Sequence, residues 1–272
     1  MRKAVPSIVC LALAIFFVAQ LSAEDASPPK GTAVRHADQR ATTDVAPWGT
    51  VKVVVLKSWG STSIWNDMST NWQNFGKRPV TVDDTTYIDS DFTYQDLVQS
   101  KAKVIVLSNP AGGEQQYSSA EVAAVAKYAE EGHTVIGTYI VFQWVDTDNR
   151  GLAPVFGLDA KVDYDTSQVG ISNLFDKNSW DNTKAKECLF TGIKGNSWQS
   201  DGYPYTEVPA TGSWSGHLAN KTAVADSDSC VGIVSLYSTA KYNGVFISNF
   251  PEYNGGTDDE QLLYNAATCY VK

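Results

Sequence analysis

Short apolar runs alternate along the chain with stretches in which apolar residues recur every three or four positions. The β-branched run Val51–Leu56 is typical of a buried strand. Residues 61–75 then carry apolar side chains at helical spacing. Strand-like runs at 79–88 and 103–108 enclose a short helical stretch at 93–98. The pattern predicts a mixed α/β fold.

The clearest predicted helix runs from Ser118 to Gly132. Ser118 and Glu121 are spaced as a capping box, in which each side chain bonds the other residue's backbone N–H. Gly132 follows the last apolar position, where a helix ends. The apolar residues Thr134–Val141 come next and predict a buried strand at the centre of the sheet.

Regular alternation of strands and helices implies right-handed crossovers and a mainly parallel sheet with helices on both faces. The predicted fold class is therefore a doubly wound, flavodoxin-like α/β domain. Residues 159–221 are rich in Asp, Asn, Gly, Ser and Trp, and predict an irregular, aromatic-rich insertion with short strands. Strands are expected again at 231–237 and 244–248, followed by a last helix over 257–269.

Ligands of doubly wound folds bind outside the carboxyl ends of the strands, near the point where the strand order reverses. This rule places the predicted site among four loops, which cover residues 58–63, 109–115, 139–144 and 249–255.

The first residues have the layout of a secretory signal peptide. Arg2 and Lys3 precede an apolar core at residues 8–18, and small residues follow at Ser22 and Ala23. The alternative is a membrane anchor, but the core is short for a membrane span. We therefore expect three segments: a signal peptide (1–23), a disordered arm or pro-segment (24–47) and one α/β domain (48–272).

The charge and the cysteines fit a secreted protein. The chain has a net charge of −9, and without residues 1–23 it keeps 19 basic and 30 acidic residues, a net charge of −11. Acidic chains repel nucleic acids and anionic membranes, so neither is an expected partner. Three cysteines remain, Cys188, Cys230 and Cys269; we expect one disulfide, with all three pairings open. Asn220 begins a possible glycosylation tripeptide.

Several segments occur in an order that resembles the class I glutamine amidotransferase-like superfamily, including its ThuA-like relatives. The resemblance covers about residues 50–270. It rests on Val51–Leu56, the Gly-rich turn Asn109–Glu114, the helix Ser118–Gly132 with the following Val-Ile-Gly-Thr-Tyr, Arg150–Leu158, Gly244–Glu252 and Asp258–Ala266.

The resemblance implies a catalytic Cys on a sharp turn after the central strand and a His-Pro-Glu triplet later in the chain. Here Tyr139 stands at the Cys position, and Val141 stands where a second Gly would favour a tight turn. Phe250 stands at the His position, before Pro251 and Glu252. A phenol with a pKa near 10 is a poor nucleophile, so amide transfer by this route is not expected.

Two functional hypotheses follow. The first is a secreted non-catalytic protein that binds a carbohydrate, another small molecule or an extracellular protein, because aromatic faces beside polar groups suit such ligands. Its candidate binding residues are Trp59, Gly112, Gly113, Tyr139, Trp144, Phe250 and Glu252.

The second hypothesis is a hydrolase with a rebuilt site. Its candidate catalytic residues are Tyr139, Glu252, Glu114 and His217, since paired carboxylates can hydrolyse glycosidic bonds. His133 is expected at the opposite end of the central strand. Neither a cofactor nor a metal is predicted, because His and Cys do not occur at metal-binding spacing.

Overall fold

The structure is a computed structural model of the chain. It describes residues 49–58, 70–88, 90–108, 116–144, 147–161, 163–164, 171–176, 188–194, 197–202, 205–207, 216–221, 231–248, 251 and 257–271. The predicted signal peptide and the N-terminal arm lie outside these residues and stay predictions.

The first half of the described chain alternates strands and helices. Its elements are β1 (Val51–Leu56), β2 (Val80–Tyr87), α1 (Tyr94–Ser100), β3 (Val104–Leu107), α2 (Ser119–Glu130) and β4 (Thr134–Thr138). Short elements follow: β5 (Gln143–Trp144), β6 (Thr147–Asp148), a 3₁₀ helix (Arg150–Phe156), β7 (Asp163–Tyr164), β8 (Ile171–Asp176), β9 (Ser197–Gly202) and β10 (Tyr205–Glu207). The last elements are β11 (Gly216–Lys221), β12 (Val231–Ser238), β13 (Asn243–Ile247) and α3 (Thr257–Cys269).

The main sheet has the strand order β2-β1-β3-β4-β13-β12-β10-β7, and β11 also pairs with β12. Strands β2, β1, β3, β4 and β13 are all parallel, whereas β12 runs antiparallel to β13. This confirms the doubly wound, flavodoxin-like fold class. The chain moves from β1 to β2 on one side and then to β3 on the other, so the strand order reverses between β1 and β3.

Two apolar layers cover the two faces of the sheet because neighbouring side chains of a strand point to opposite faces. In β1, Val54 and Leu56 belong to the layer formed with α2, and Val53 and Val55 belong to the layer formed with α3. Both faces of the sheet are therefore covered by apolar side chains, which explains why the parallel strands are almost continuously apolar.

The predicted central strand is shorter than expected. Residues 134–141 were expected in one strand, but β4 ends at Thr138 and residues 139–142 form a turn. The turn begins because Tyr139 adopts a left-handed backbone with φ of 53°. Val141, the residue at which strain was expected, is not among the described residues with positive φ. The predicted helix at 61–75 falls mostly outside the described residues.

The N-termini of both early helices are closed by capping boxes. Ser118 and Glu121 bond reciprocally at the start of α2, as predicted, and Thr93 and Asp96 do the same at the start of α1. Such caps satisfy backbone N–H groups that a helix start would otherwise leave without partners.

One disulfide joins Cys188 to Cys269, which settles the pairing that the sequence left open. It ties the segment 188–194 to the end of α3. Asn265 of α3 reinforces this link, since its amide donates to the carbonyl oxygens of Leu189 and Thr191 at 2.8 Å each. Asn220, which begins the possible glycosylation tripeptide, lies in β11 opposite Gly232.

No helix in the described part of the chain has the length and apolar character to cross a membrane. Across the same residues, no group of three or more His, Cys, Asp or Glu side chains is arranged to hold a metal ion.

The contact between β13 and the 3₁₀ helix depends on Gly244. A Cβ atom at Gly244 would lie 2.4 Å from the carbonyl oxygen of Val155. Because this obstacle is backbone, we expect Gly244→Ala to lower the free energy of unfolding by about 1–3 kcal/mol, the cost of overpacking a core. Urea denaturation measures the loss. Gly151→Ala is the control, since its Cβ would make only ordinary contact with Val122; equal effects of the two changes would contradict the prediction.

His133 precedes β4 at the amino edge of the sheet, as predicted. Its ring stacks on Tyr128 with ring centres 3.9 Å apart, and the Tyr128 hydroxyl donates to the Ala102 carbonyl oxygen at 2.6 Å. Burial, and then the nearby Lys103 ammonium, hold the pKa of His133 below its ordinary value of 6.5.

This lowered pKa predicts acid sensitivity. Below pH ~6.5 the unfolded chain takes up a proton at His133 that the folded protein resists, so folding stability falls as pH falls through this range. We expect the stability of His133→Phe, which keeps a ring on Tyr128, to decline less between pH 7 and pH 5. Urea midpoints at several pH values test this; parallel declines in the two proteins would exclude it.

Candidate functional site

The carboxyl edge of the sheet brings together the residues that follow β1, β3 and β4. Ser58 follows β1, and its hydroxyl donates to the hydroxyl of Ser108, which follows β3, at 2.9 Å. Both serines are buried. This pair lies where the strand order reverses, which is the expected ligand position in a doubly wound fold.

Lys57 is the central charged residue of this edge. It directly follows β1, has a left-handed backbone with φ of 37°, and is only 5% exposed. Its ammonium group donates to Asp91 at 2.8 Å, to the Gln116 carbonyl oxygen at 3.2 Å and to Glu121 at 3.0 Å. An ammonium group has three hydrogens, so these contacts use its full donor capacity.

Glu121 is the buried partner in this arrangement. Its carboxylate accepts hydrogen bonds from Lys57 and from the backbone N–H groups of Ser118 and Phe92. One side chain therefore caps α2, holds the loop after β2 and neutralises a buried cation. Such extensive pairing is what makes a buried charge tolerable.

The protonation states follow from these contacts. Burial acts to lower the pKa of Lys57, but the hydrogen bonds and charges of Asp91 and Glu121 outweigh it and raise the pKa above 10.5. The Lys57 ammonium in turn lowers the pKa of Asp91. Lys57 is thus a permanent, fully bonded cation. It can organise the loops around it, but it has no lone pair for nucleophilic attack.

Tyr117 contacts the same edge of the sheet through both its hydroxyl and its ring. Its hydroxyl donates to the Leu56 carbonyl oxygen at 3.1 Å, and its ring lies 5.7 Å from the Lys57 ammonium. Burial, and then the charge of Glu121, raise the pKa of Tyr117 well above its ordinary value. The phenol therefore stays protonated and acts as a fixed donor.

The turn at Tyr139 lies at the end of β4, next to β3 and β13. Its backbone N–H donates to the Ile247 carbonyl oxygen of β13 at 2.8 Å, which holds the turn against the sheet. The side chain is half-buried against the apolar layer on the α2 side. A left-handed conformation at a bulky residue costs free energy, and such strain concentrates at functional sites.

Asn149 connects the Tyr139 turn to the loop before α2. Its backbone N–H donates to the Phe142 carbonyl oxygen at 2.6 Å, and its side-chain oxygen accepts from the Tyr117 N–H at 2.9 Å. Gln116 also donates to the Asp148 carbonyl oxygen. The Tyr139 turn and the loop before α2 are therefore cross-linked.

The structure describes only part of the candidate set. Tyr139 lies at the carboxyl edge, as the sequence predicted. Of Trp144 and His217 only the backbone is described: Trp144 lies in β5, and His217 lies in β11, which β12 and β13 separate from β4. The remaining candidates lie outside the described residues: Trp59, Gly112, Gly113, Glu114, Phe250 and Glu252.

Sequence reasoning missed the Lys57 cluster. The available signal was a lysine directly after a run of buried apolar residues, at the end of the first strand. Glu121 was identified, but only as half of a capping box. The third partner, Asp91, is in a loop and carries no local pattern.

The solved structures provide the comparison with known proteins. A ThuA-like protein from Parabacteroides merdae ATCC 43184 superposes with a TM-score of 0.50 and 10% sequence identity, over 83% of this chain and 92% of that protein. The fold is similar to that of ThuA-like proteins.

Two further solved structures resemble this chain. The N-terminal domain of mmIFT52 gives a TM-score of 0.49 and 12% identity, over 81% of this chain and 97% of that domain. Cytoplasmic Protein STM1381 from Salmonella typhimurium LT2 gives a TM-score of 0.45 and 13% identity, over 82% of this chain and 100% of that protein. No family model and no curated protein matches the sequence. At these identities the likeness to the ThuA-like protein concerns the fold alone, because one fold hosts many functions.

Proposed function

We propose that this protein is secreted and binds an extracellular ligand, with a carbohydrate as the preferred class, at the carboxyl edge of its sheet, without catalysing amide transfer. The observation that carries the proposal is the left-handed turn at Tyr139 directly after β4. The enzymes that this chain resembles place their nucleophile on such a turn.

The turn at Tyr139 combines a demanding backbone with an unsuitable nucleophile. A non-glycine residue held at φ of 53° costs about 1–3 kcal/mol, which the surrounding structure must offset. The Tyr139 side chain is a half-buried phenol in place of a thiol. An aromatic ring that keeps part of its surface exposed supplies a flat apolar surface, which suits a sugar ring or another small ligand.

The Lys57 cluster supports binding in preference to chemistry. Its ammonium group is fully occupied by Asp91, Gln116 and Glu121, so it fixes the loops after β1, β2 and β3 relative to one another. A pre-organised site binds more tightly because fewer side chains must be ordered when the ligand binds.

Secretion is proposed from the first 23 residues and from the acidic charge. The Cys188–Cys269 disulfide is compatible with an oxidising compartment, where such bonds persist.

A titration tests the proposal. We expect chitohexaose, cellohexaose or xylohexaose to change the intrinsic Trp fluorescence saturably, and Tyr139→Ala to weaken that binding about tenfold or more, as expected for loss of an aromatic contact. Tyr94→Ala serves as the matched control, because Tyr94 packs on the α2 side with its hydroxyl on Glu131. If Tyr139→Ala and Tyr94→Ala bind like the wild type, the ligand does not bind at this turn, and the proposal fails.

A further inference from the structure

A pocket of about 200 Å³ opens at the amino edge of the sheet, the edge opposite Tyr139. It lies between the ends of α1 and α2 and the segments that lead into β3 and β4. Its lining includes Val98, Lys101, Lys103, Tyr128, Glu131 and His133.

The polar group of interest in this lining is the imidazole of His133. One face of the imidazole lies on Tyr128, with ring planes 3° apart, so the ring is held in a fixed orientation. Nδ1 is buried and makes no hydrogen bond of ordinary geometry among the described residues, although the backbone of Ala102 interacts with the ring. Buried polar atoms in native proteins are nearly always bonded, so this imidazole is the buried group of the lining whose hydrogen bonding the described residues leave incomplete.

Positive charge exceeds negative charge in this lining. Lys101 and Lys103 contribute two ammonium groups to the lining. Against these, Glu131 contributes one carboxylate, which already accepts a hydrogen bond from the Tyr94 hydroxyl. The excess is notable in a chain with a net charge of −9.

The two helix ends next to the pocket are already partly satisfied. The Lys101 N–H donates to the Val98 carbonyl oxygen at the end of α1, with Lys101 at φ of 55°. The Gly132 N–H donates to the Ala129 carbonyl oxygen at the end of α2. These bonds occupy one carbonyl group at each helix end, and the two ammonium groups must offset the partial negative charge that helix C-termini carry.

We propose that this pocket binds a small oxyanion, a carboxylate or a phosphate, between Lys101 and Lys103 and beside the imidazole of His133. The two ammonium groups donate charge-assisted hydrogen bonds to its oxygen atoms. The proposal is independent of the function assigned to the carboxyl edge.

Binding at this pocket is coupled to proton uptake. The imidazolium form adds a positive charge that attracts an anion, and a neighbouring anion in turn favours the imidazolium form. The groups that face His133 are Lys101 and Lys103 before β3, and Tyr128 and Glu131 at the end of α2. We therefore expect the anion to bind more tightly at pH 5.5 than at pH 7.5.

The test is an NMR titration of the His133 imidazole signals with sodium phosphate and, separately, with sodium acetate, at constant ionic strength set with chloride. We expect saturable shifts at pH 5.5, and an affinity about tenfold lower in Lys103→Gln, the cost of one charge-assisted hydrogen bond. Lys194→Gln is the matched control, because it removes one exposed lysine outside the pocket lining.

The outcomes separate cleanly. If both acetate and phosphate cause saturable shifts of the His133 signals, the pocket is a general oxyanion site. If only one of them does, the pocket is specific for a carboxylate or for a phosphate. Shifts that do not saturate, or that are the same in Lys103→Gln as in Lys194→Gln, overturn the proposal. Chemical shifts of backbone amides far from the pocket report whether each variant is folded, so an unfolded variant is recognised and replaced by Lys103→Arg, which should retain binding.

Discussion

Replacing Lys57 by Met is expected to lower the free energy of unfolding by about 3–5 kcal/mol, the usual cost of removing one partner of a buried ion pair. Met retains most of the apolar stem and avoids β-branching at φ of 37°. What remains is the Glu121 carboxylate, 2% exposed and without its cation. Urea or thermal denaturation of the variant measures the loss.

Two further variants show whether the pair with Glu121 causes this effect. Asp91→Asn removes the solvent-exposed partner of Lys57 and should change stability little, because exposed ion pairs contribute little. The double variant Lys57→Met/Glu121→Gln should recover part of the loss, since no buried charge is left without a partner. A Lys57→Met protein as stable as the wild type would show that the cluster does not hold the carboxyl edge together.

Replacing both Cys188 and Cys269 by Ala is expected to lower the free energy of unfolding by about 4 kcal/mol, from the chain entropy that a cross-link removes from the unfolded state. The two cysteines are 81 residues apart in sequence, so the closed loop is long. The change also frees the end of α3 from the segment that Asn265 holds. Thermal denaturation measures the difference.

Reduction provides the control for this prediction. Wild-type protein with an excess of dithiothreitol should melt at the temperature of the Cys188→Ala/Cys269→Ala variant, and the variant should not respond to dithiothreitol. If the variant melts at the same temperature as the oxidised wild type, the disulfide contributes no stability, and its role in fixing segment 188–194 is excluded.

Much of the fold could be predicted because its signals are local. The apolar runs of β1, β3 and β4 and the capping box of Ser118 and Glu121 are each visible within a few residues. The parallel order follows from helices placed between strands. The end of β4 was missed because residues 134–141 carry no charge and include four Val or Ile residues, and composition does not distinguish a buried turn from a buried strand.

The sequence predicted where the site lies in the fold, but not the backbone conformation or the contacts that form it. The sequence identified Tyr139 by resemblance, yet the left-handed turn at that residue is a property of the folded backbone. The ion pairs of Lys57 join it to residues 34 and 64 positions further along the chain, and no local sequence pattern predicts contacts at such separations. The disulfide was open for the same reason, because sequence separation does not reveal which cysteines meet.

The most direct test of the account is a turnover measurement on wild type and Tyr139→Phe. Purified protein is incubated with glutamine, with ammonia release as the readout, and with p-nitrophenyl glycosides and xylohexaose, with release of nitrophenol and reducing sugar as the readouts. We expect no turnover above the buffer rate in either protein, together with saturable oligosaccharide binding that Tyr139→Ala weakens. Turnover by the wild type that Tyr139→Phe abolishes would contradict a binding role and establish Tyr139 as a catalytic residue.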